Sequence, residues 1–299
     1  MYIVIINSYS GQRRYKKVVR QLEKKLRKPF VSYFTDQYQE DTLWDNIHQK
    51  LNDLGNKLDG VIVVGGDGTL HYVVNHLQDY NVPYGLVASG SGNDFGRALK
   101  IPRNISKAIE RINSNNPEEY DIINANGKKV LSVVGIGVDA ETAIRCQTSR
   151  LKKLLNRAFL GRLTYLMVFF QTIRHYEPME LEITDEKGTV HQFNNVWLTA
   201  LGNTSYYGGG IPICPDADPQ DSQIEYVIIH TLPLAKVLMR ALPAVFLKKH
   251  QNLSCVTILK GTKFHIKSKN KEVPVQGDGE EIGTTPACIR ILPNAIRIF

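Results

Sequence analysis

Val61-Ile62-Val63-Val64-Gly65-Gly66-Asp67-Gly68-Thr69 is the segment on which the fold prediction depends. Its β-branched residues predict a buried strand, and the glycines that follow predict a tight turn into a helix. Glycines let backbone N–H groups approach phosphate oxygens, and a helix N-terminus favours anions. Asp67 is placed to hold a hydrated Mg²⁺ beside such phosphates. The segment therefore predicts a phosphate site, with a plain strand-to-helix turn as the alternative.

The residues on either side of this segment alternate between strand and helix patterns. Short connections between strands and helices are typical of an α/β fold, in which a doubly wound parallel sheet carries helices on both faces. Ligands of such sheets bind at the carboxyl ends of the strands. The predicted strands are 2–6, 30–34, 60–64 and 84–87, and the predicted helices are 14–28, 41–54 and 70–77.

A second glycine loop follows the strand at 84–87. Ser89-Gly90-Ser91-Gly92-Asn93-Asp94-Phe95 again runs from a strand into a helix, so both loops are expected at the same edge of the sheet. Asp94 would add a second carboxylate near Asp67. Read alone, Ser91 to Asn93 is an ordinary helix N-cap.

The pattern changes after about residue 121, where the sequence predicts a β-rich second domain. We expect the first domain over 1–123, completed by 286–299, and the second over 124–285. The expected strands are 130–138, 180–184, 189–201, 223–230, 253–259, 263–268 and 286–292, and the expected helices are 141–176 and 234–248.

Two polar motifs of this second part can carry chemistry. Asp218 and Asp221, with two residues between them, could form a small cation site with carbonyl oxygens, or an acidic surface turn. Gln276-Gly277-Asp278-Gly279-Glu280-Glu281 places acids around a glycine at a strand end. One of these carboxylates could accept a hydroxyl proton, although Asp-Gly is also a common hairpin turn.

The net charge of +8 comes from 37 basic and 29 acidic residues and is unevenly distributed. Residues 1–28 alone carry nine basic side chains and one acid, so the remaining 271 residues are neutral. This balance argues against a nucleic-acid partner. The four cysteines are widely spaced and favour neither zinc nor disulfides. We recognise neither a leader nor a transmembrane stretch, which predicts a cytoplasmic protein.

Four motifs resemble, in order, those of the diacylglycerol kinase catalytic family, which includes bacterial lipid kinases and sphingosine kinases. They are Asn7-Ser8-Tyr9-Ser10-Gly11, GGDGT at 65–69, GSGNDFGRAL at 90–99, and GNTSYYGGG at 202–210 with GDGE at 277–280. GGDGT alone is shared with NAD kinases and phosphofructokinases, whereas the later motifs are more specific. The resemblance covers nearly the whole chain and implies two domains with ATP in the cleft between them.

The resemblance also implies individual roles. The residues that would contact ATP are Asn7, Ser10, Gly11, Thr35, Gly65, Gly66, Asp67, Gly68, Thr69, Ser91 and Asn93. Asp67, Asp94 and Asp121 match the acids of a Mg²⁺–water network.

Two further sites follow from the same resemblance. A second, structural Mg²⁺ maps to Asp218, Asp221 and the carbonyl of Gln223, and Asp278 or Glu280 would be the base that activates a lipid hydroxyl.

This chain departs from the family pattern at three positions. Ser8 replaces the proline of the first motif, Tyr72 stands where the family commonly has glutamate, and Ser222 replaces the glycine after the metal-site acid. The central acids and the DGE triplet (Asp278–Glu280) are all present.

These residues predict an ATP-dependent lipid kinase, most simply one that converts diacylglycerol to phosphatidic acid. Sphingoid bases and undecaprenol are alternative acceptors, and an NAD kinase or a non-catalytic nucleotide- or lipid-binding protein are alternative functions. Two further basic blocks, at 142–176 and 226–271, hold seven and nine Lys or Arg and no acid. We therefore expect peripheral binding to an anionic membrane at its inner face, and we keep a homodimer open.

Overall fold

The computed structural model describes residues 1–10, 15–90, 92–148 and 161–299, with the side chains of 147–148 and 161–164 left out. Clustering of contacts divides the chain into two units. Unit 1 is Met1–Tyr120 with Asn294–Phe299, and unit 2 is Asp121–Pro293. Of the segment 286–299, which the sequence assigns to the first domain, only the last six residues belong to unit 1.

Unit 1 is the predicted α/β domain. Its strands are β1 (Tyr2–Ile6), β2 (Phe30–Phe34), β3 (Gly60–Gly65), β4 (Pro83–Ala88) and the end of β16 (Ala287–Ile298). They pair in parallel in the order β2-β1-β3-β4-β16. The helices are α1 (Tyr15–Lys25), α2 (Glu40–Leu54), α3 (Asp67–His76), α4 (Asp94–Ala98) and α5 (Ile105–Asn113), with a 3₁₀ turn at Gly55–Lys57.

Side-chain alternation along the central strands explains the two helical layers. Val4 and Ile62 point to one face, where they pack in one buried cluster with Val18 of α1 and Ile109 of α5. Their neighbours along the strands point to the other face, and α2 and α3 bury residues such as Ile47 there. Buried hydrophobic runs of this kind are typical of parallel sheets.

Unit 2 is a sandwich of two mainly antiparallel sheets. One sheet has the order β12-β11-β10-β7-β14-β15, and the other contains the first part of β16 with β13, β8, β9, β5 and β6. The remaining strands are β5 (Glu118–Ala125), β6 (Lys128–Val130), β7 (Val133–Gly137), β8 (Met179–Asp185), β9 (Val190–Val196), β10 (Leu198–Gly202), β11 (Ile224–Ile229), β12 (Val256–Gly261), β13 (Lys263–Ser268), β14 (Pro274–Gly277) and β15 (Glu280–Thr284).

Helices cover the outer face of the six-stranded sheet. They are α6 (Val138–Thr148), α7 (Gly161–Ile173), and a mixed segment made of α8 (Leu234–Lys236), a π-helical turn (Val237–Ala241) and α9 (Leu242–Phe246), followed by a 3₁₀ turn at His250–Asn252. β11 is buried on both faces, because Tyr226 and Ile228 point into the sandwich and Val227 and Ile229 point to these helices.

Two predictions for this region are corrected by the structure, and a third falls partly outside the described residues. Segment 189–201 is not one strand, because β9 pairs with β8 in one sheet and β10 pairs with β7 and β11 in the other. The predicted strand 130–138 is interrupted after Val130 and ends where α6 begins. The predicted helix 141–176 is described only as α6 and α7, since 149–160 lie outside the described residues.

The carboxyl-terminal Phe299 closes the core of unit 1. Its ring meets Tyr2 edge-to-face at 5.9 Å, its N–H donates to Tyr84 O at 2.9 Å, and its carbonyl accepts from Arg111 Nε at 2.7 Å. A Cβ on Gly60 would lie 2.8 Å from the ring, so glycine makes room for it.

We therefore expect Phe299→Ala to lower the free energy of unfolding of unit 1 by about 3–5 kcal/mol, because it removes a buried aromatic ring and leaves a cavity. Chemical denaturation followed by the fluorescence of Trp44, the tryptophan of unit 1, measures this. Phe170→Ala is the matched control, since Phe170 is 44% exposed. Equal denaturation midpoints for the two variants would contradict this account of the core.

Candidate active site

The two glycine loops of unit 1 lie against each other at the carboxyl edge of its parallel sheet. A Cβ on Gly90 would lie 2.6 Å from the Cα of Gly66, so a side chain there would strike backbone. The N–H of Ser89 donates to the carbonyl of Gly65 at 2.8 Å. The expectation that both loops open on one edge agrees with this geometry.

Asp67 joins the two loops. It is the first residue of α3, and its carboxylate accepts the backbone N–H of Asp94 at 2.6 Å and of Phe95 at 3.2 Å. These N–H groups open α4, where a carboxylate satisfies donors and interacts favourably with the helix dipole. Asn93, with φ of 54°, turns the chain into α4, and its Nδ2 donates to Gly90 O at 2.7 Å. Asp67 therefore holds the second loop on the first.

The loop after β1 completes this edge. Asn7 Nδ2 donates to Thr69 Oγ1 at 3.0 Å, and Ser89 Oγ donates to Ser10 Oγ at 3.0 Å. Thr35 follows β2, and its N–H donates to the carbonyl of Ile6, the last residue of β1. Most of the residues predicted to contact ATP are thus brought together by four strand ends. Gly11 and Ser91, which are predicted to join them, lie outside the described residues.

This edge has the chemistry of an anion site. Gly66 is the N-cap of the ten-residue helix α3, and as a glycine it has no side chain that could cover the helix start. Backbone N–H groups at a helix start and within glycine turns bind phosphate oxygens. Hydroxyls and amides surround this helix start, so the arrangement suits a polyphosphate.

The DGE triplet of unit 2 forms the turn between β14 and β15. Asp278 and Gly279 both have positive φ, 53° and 92°. The Asp278 carboxylate accepts backbone N–H groups from Leu131 at 2.7 Å, Ser132 at 2.8 Å and Val133 at 3.3 Å. A carboxylate has about four acceptor sites, so this contact uses most of them. Asp278 therefore fixes the turn on segment 131–133.

Two family models together match most of the chain. Residues 1–125 match the diacylglycerol kinase catalytic domain, and residues 132–299 match the YegS C-terminal NAD kinase beta sandwich-like domain. The chain belongs to the diacylglycerol kinase-like family of lipid kinases. This confirms the resemblance found in the four motifs and the two-domain fold class.

Individual relatives agree with this family. A Bacillus subtilis protein named "putative lipid kinase YtlR" is 27% identical over 99% of this chain and 98% of its own length. A Staphylococcus haemolyticus protein named "putative lipid kinase SH2167" is 30% identical over 84% of this chain and 79% of its own. A crystal structure described as a putative diacylglycerol kinase from Bacillus anthracis superposes with a TM-score of 0.78 at 24% identity, covering 99% and 94% of the two chains. That superposition supports the fold.

Tyr72 occupies a position where a lipid kinase of this family commonly has an acid. Its hydroxyl accepts Trp44 Nε1 at 2.8 Å and donates to Glu40 of α2. Burial, followed by the bond to Glu40, raises the pKa of Tyr72 to about 12, so the phenol stays neutral. Tyr72 therefore packs α3 on α2 and cannot supply the missing carboxylate.

Metal binding by the acids predicted for the Mg²⁺–water network stays a prediction. Asp94 is buried and ion-paired with Arg97, Asp67 accepts two N–H groups, and Asp121 belongs to unit 2. Among the described residues there is no group of three or more His, Cys, Asp or Glu able to hold a metal. Mg²⁺ commonly uses one or two carboxylates together with substrate phosphates and water. The residues fit that mode, with Asp67 nearest the phosphate loop.

The acids predicted for a second metal share one exposed turn. The N–H of Asp221 donates to Asp218 O at 3.4 Å, and the N–H of Gln223 donates to Asp221 Oδ1 at 2.9 Å. Ser222 adopts φ of 58°, the conformation for which the family uses glycine. The buried Asp121 carboxylate accepts the Ser222 N–H at 2.7 Å, so it anchors this turn. Metal binding there stays a prediction.

The sequence patterns missed an apolar pocket inside unit 2. Phe169 of α7, Ile229 of β11, and Val237 and Ala241 of the π-helical turn contribute to its lining. Tyr207 and Ile211 also line the pocket, and the triple glycine 208–210 lies between them. All three glycines have positive φ, and they close a tight loop in which Tyr207 and Ile211 exchange backbone hydrogen bonds. These residues are spread along the chain, so no local pattern reveals the pocket.

We expect Asp278→Asn to lower stability by about 1.5–3 kcal/mol, because the amide puts a donor against backbone N–H groups that now meet a charged acceptor. Asparagine tolerates the positive φ, so backbone strain does not contribute. Glu280→Gln is the matched control, since Glu280 is exposed and its change is expected to stay within about 0.5 kcal/mol. Thermal unfolding of both variants measures the difference; similar midpoints would show that the carboxylate does not hold the turn.

Proposed function

We propose that this protein transfers the γ-phosphoryl group of ATP to a lipid hydroxyl, with diacylglycerol as the acceptor and phosphatidic acid as the product. The observation that carries the choice of a lipid is the apolar pocket of unit 2, the unit that also contains the DGE turn. Clefts lined by apolar side chains bind apolar ligands. The Asp67-linked glycine loops of unit 1 supply the complementary part, a site for polyphosphate.

The reaction needs positioning and charge neutralisation more than covalent chemistry. The acceptor oxygen forms a bond to the γ-phosphorus, the bond from that phosphorus to the β,γ-bridging oxygen breaks, and ADP leaves. The proton of the hydroxyl goes to a carboxylate of the DGE turn, either Asp278 or Glu280. Mg²⁺ bound with ATP would neutralise phosphate charge, and Asp67 and Asp94 would be the carboxylates that orient its water ligands.

Other lipid alcohols, including sphingoid bases and undecaprenol, fit the same chemistry. A second candidate function, a nucleotide- or lipid-binding protein without catalysis, is favoured by Tyr72 in place of the family acid. ATP binding without phosphorylation of any lipid would select it.

We further propose that the protein docks peripherally on the anionic inner face of the cytoplasmic membrane. The mixed helical segment 234–246 and the two lysines that follow it support this. Val237, Ala241 and Val245 are buried, whereas Met239 and Leu247 are 70% and 67% exposed. Lys236, Arg240, Lys248 and Lys249 are exposed around them. Exposed apolar side chains among cations are typical of interfacial helices. None of the helices in the described ranges is long and apolar enough to cross a bilayer.

The first test is transfer of ³²P from ATP to diacylglycerol in mixed micelles. We expect Asp67→Ala to reduce the rate about 10²-fold or more, because it removes both a charge beside the phosphates and the link between the loops. Asp79→Ala is the matched control, since Asp79 is exposed in the same unit. Full activity of Asp67→Ala would refute the assignment.

The pocket is tested by Ala241→Phe, because Ala241 is fully buried in the lining and a phenyl ring would fill the space. Lipid phosphorylation should fall while ATP binding is retained. Ala235→Phe, at an exposed position of the same segment, should leave both unchanged.

If the protein docks on a membrane, the two halves of the basic block at 226–271 should contribute unequally to vesicle binding. Neutralising Lys236 and Arg240 should weaken binding to anionic vesicles about fivefold per charge, more strongly at low salt. Neutralising Lys263 and Lys267 should have little effect. Their neighbours Phe264 and Ile266 enter the sandwich core, so these lysines point away from the sheet that the helices cover. Binding that is insensitive to salt, or equal effects of both pairs, would contradict the proposal.

A further inference from the structure

We propose that Gln276, oriented by the buried carboxyl group of Asp139, is a positioning residue that sets the conformation of the DGE turn. The inference rests on the proposed function, because it treats that turn as the source of the base. It adds a second support, behind the turn, to the anchor that Asp278 provides.

The hydrogen bonds of Gln276 define its role. Its Oε1 accepts the N–H of Gly279, the central residue of the DGE turn, at 2.7 Å. Because the amide oxygen is used there, the amide nitrogen faces the other way, and Nε2 lies 3.5 Å from Asp139 Oδ2. Gln276 is 3% exposed and Asp139 is fully buried. Both groups are therefore shielded from water.

Gly135 shows that the backbone is shaped around the pair. β7 and β14 place Gly135 directly opposite Gln276. A Cβ at Gly135 would lie 2.0 Å from Asp139 Oδ2 and 2.5 Å from Gln276 Nε2. The space that a side chain would occupy is therefore taken by the polar contact. β7 begins at Val133, whose N–H donates to the Asp278 carboxylate. The turn is therefore tied to β7 at two places, by Asp278 at Val133 and by Gln276 opposite Gly135.

Asp139 has an incompletely satisfied carboxyl group and follows Val138, which lines the apolar pocket. Its Oδ1 has no hydrogen-bond partner among the described residues. Burial raises the pKa of Asp139 to about 7. The titratable groups that interact with it are Tyr165 of α7, Tyr176, and Tyr207 and Cys214 of the loops beside β10.

Among the described residues, Gln276 is the one side chain that donates a hydrogen bond to Asp139. Val138, Tyr165 and Tyr207 line the pocket. The Asp139–Gln276 contact therefore connects the pocket wall to the turn.

The experiment exchanges donor and acceptor within the pair. In Gln276→Glu, a carboxylate would face Asp139, and we expect kcat for lipid phosphorylation to fall at least tenfold, with the KM for ATP unchanged. In the double variant Asp139→Asn with Gln276→Glu, the asparagine amide can donate to the new carboxylate, whose other oxygen accepts Gly279 N–H. The total charge then equals that of the wild type, and kcat should return to within about threefold of it. Gln192→Glu, at an exposed position of β9, is the matched control.

Hydrogen exchange of residues 277–281 provides a readout that does not need activity. Gln276→Glu should speed exchange at the turn, and the double variant should restore protection. A double variant no better than Gln276→Glu in both kcat and exchange would overturn the inference, as would wild-type kcat and wild-type exchange in Gln276→Glu. If the wild type phosphorylates no lipid while exchange follows the expected pattern, the positioning contact stands and the proposed function fails.

Discussion

The carboxylate of Asp67 is the constraint on which unit 1 depends. Two glycine loops at one sheet edge can approach each other only because Gly66 and Gly90 lack side chains, and close backbone contact alone would leave the α4 N–H groups without acceptors. Asp67 supplies the acceptor for two of them. An acid in this turn is therefore required by the fold before any ligand binds. Its proximity to a phosphate site follows from that structural position.

In unit 2, too, one carboxylate holds a turn by accepting backbone N–H groups, but here the acid comes later in the chain than the N–H groups that it accepts. Segment 131–133 presents three consecutive N–H groups, and Asp278 accepts all of them from the turn that follows β14. Asn203 completes the arrangement, since its buried Nδ2 donates to the carbonyls of Asp121 and Leu131 at 2.8 Å. One network of buried backbone groups thus joins the start of the unit to its DGE turn. Removal of a single acceptor would leave several buried donors unpaired, so one substitution in such a network has a large cost in stability.

Most of unit 1 could be predicted from sequence because its signals are local. Buried runs of β-branched residues, helical periodicity and glycine turns each lie within a few residues, and the strands found match those expected to within one residue. Unit 2 was harder, because its contacts join distant segments. The change of sheet between β9 and β10 is set by their partners, β8 for β9 and β7 and β11 for β10. The partners of Asp278 lie about 145 residues away in the sequence. The DGE motif could therefore be recognised from the sequence, but its hydrogen bonds to segment 131–133 could not be predicted.

The basic blocks show why counting charges along a chain says little about surfaces. The block at 226–271 reads as one continuous positive segment, but it contains a helical part and a strand pair whose side chains follow different periods. Strand alternation sends Lys263 and Lys267 outward from the sandwich, and the helical part places Lys236 and Arg240 beside exposed Met239. Cations alone bind any polyanion, whereas cations next to exposed apolar side chains gain additional free energy only at a lipid interface. The apolar neighbours, and not the number of charges, therefore distinguish the half of the block that is suited to a membrane.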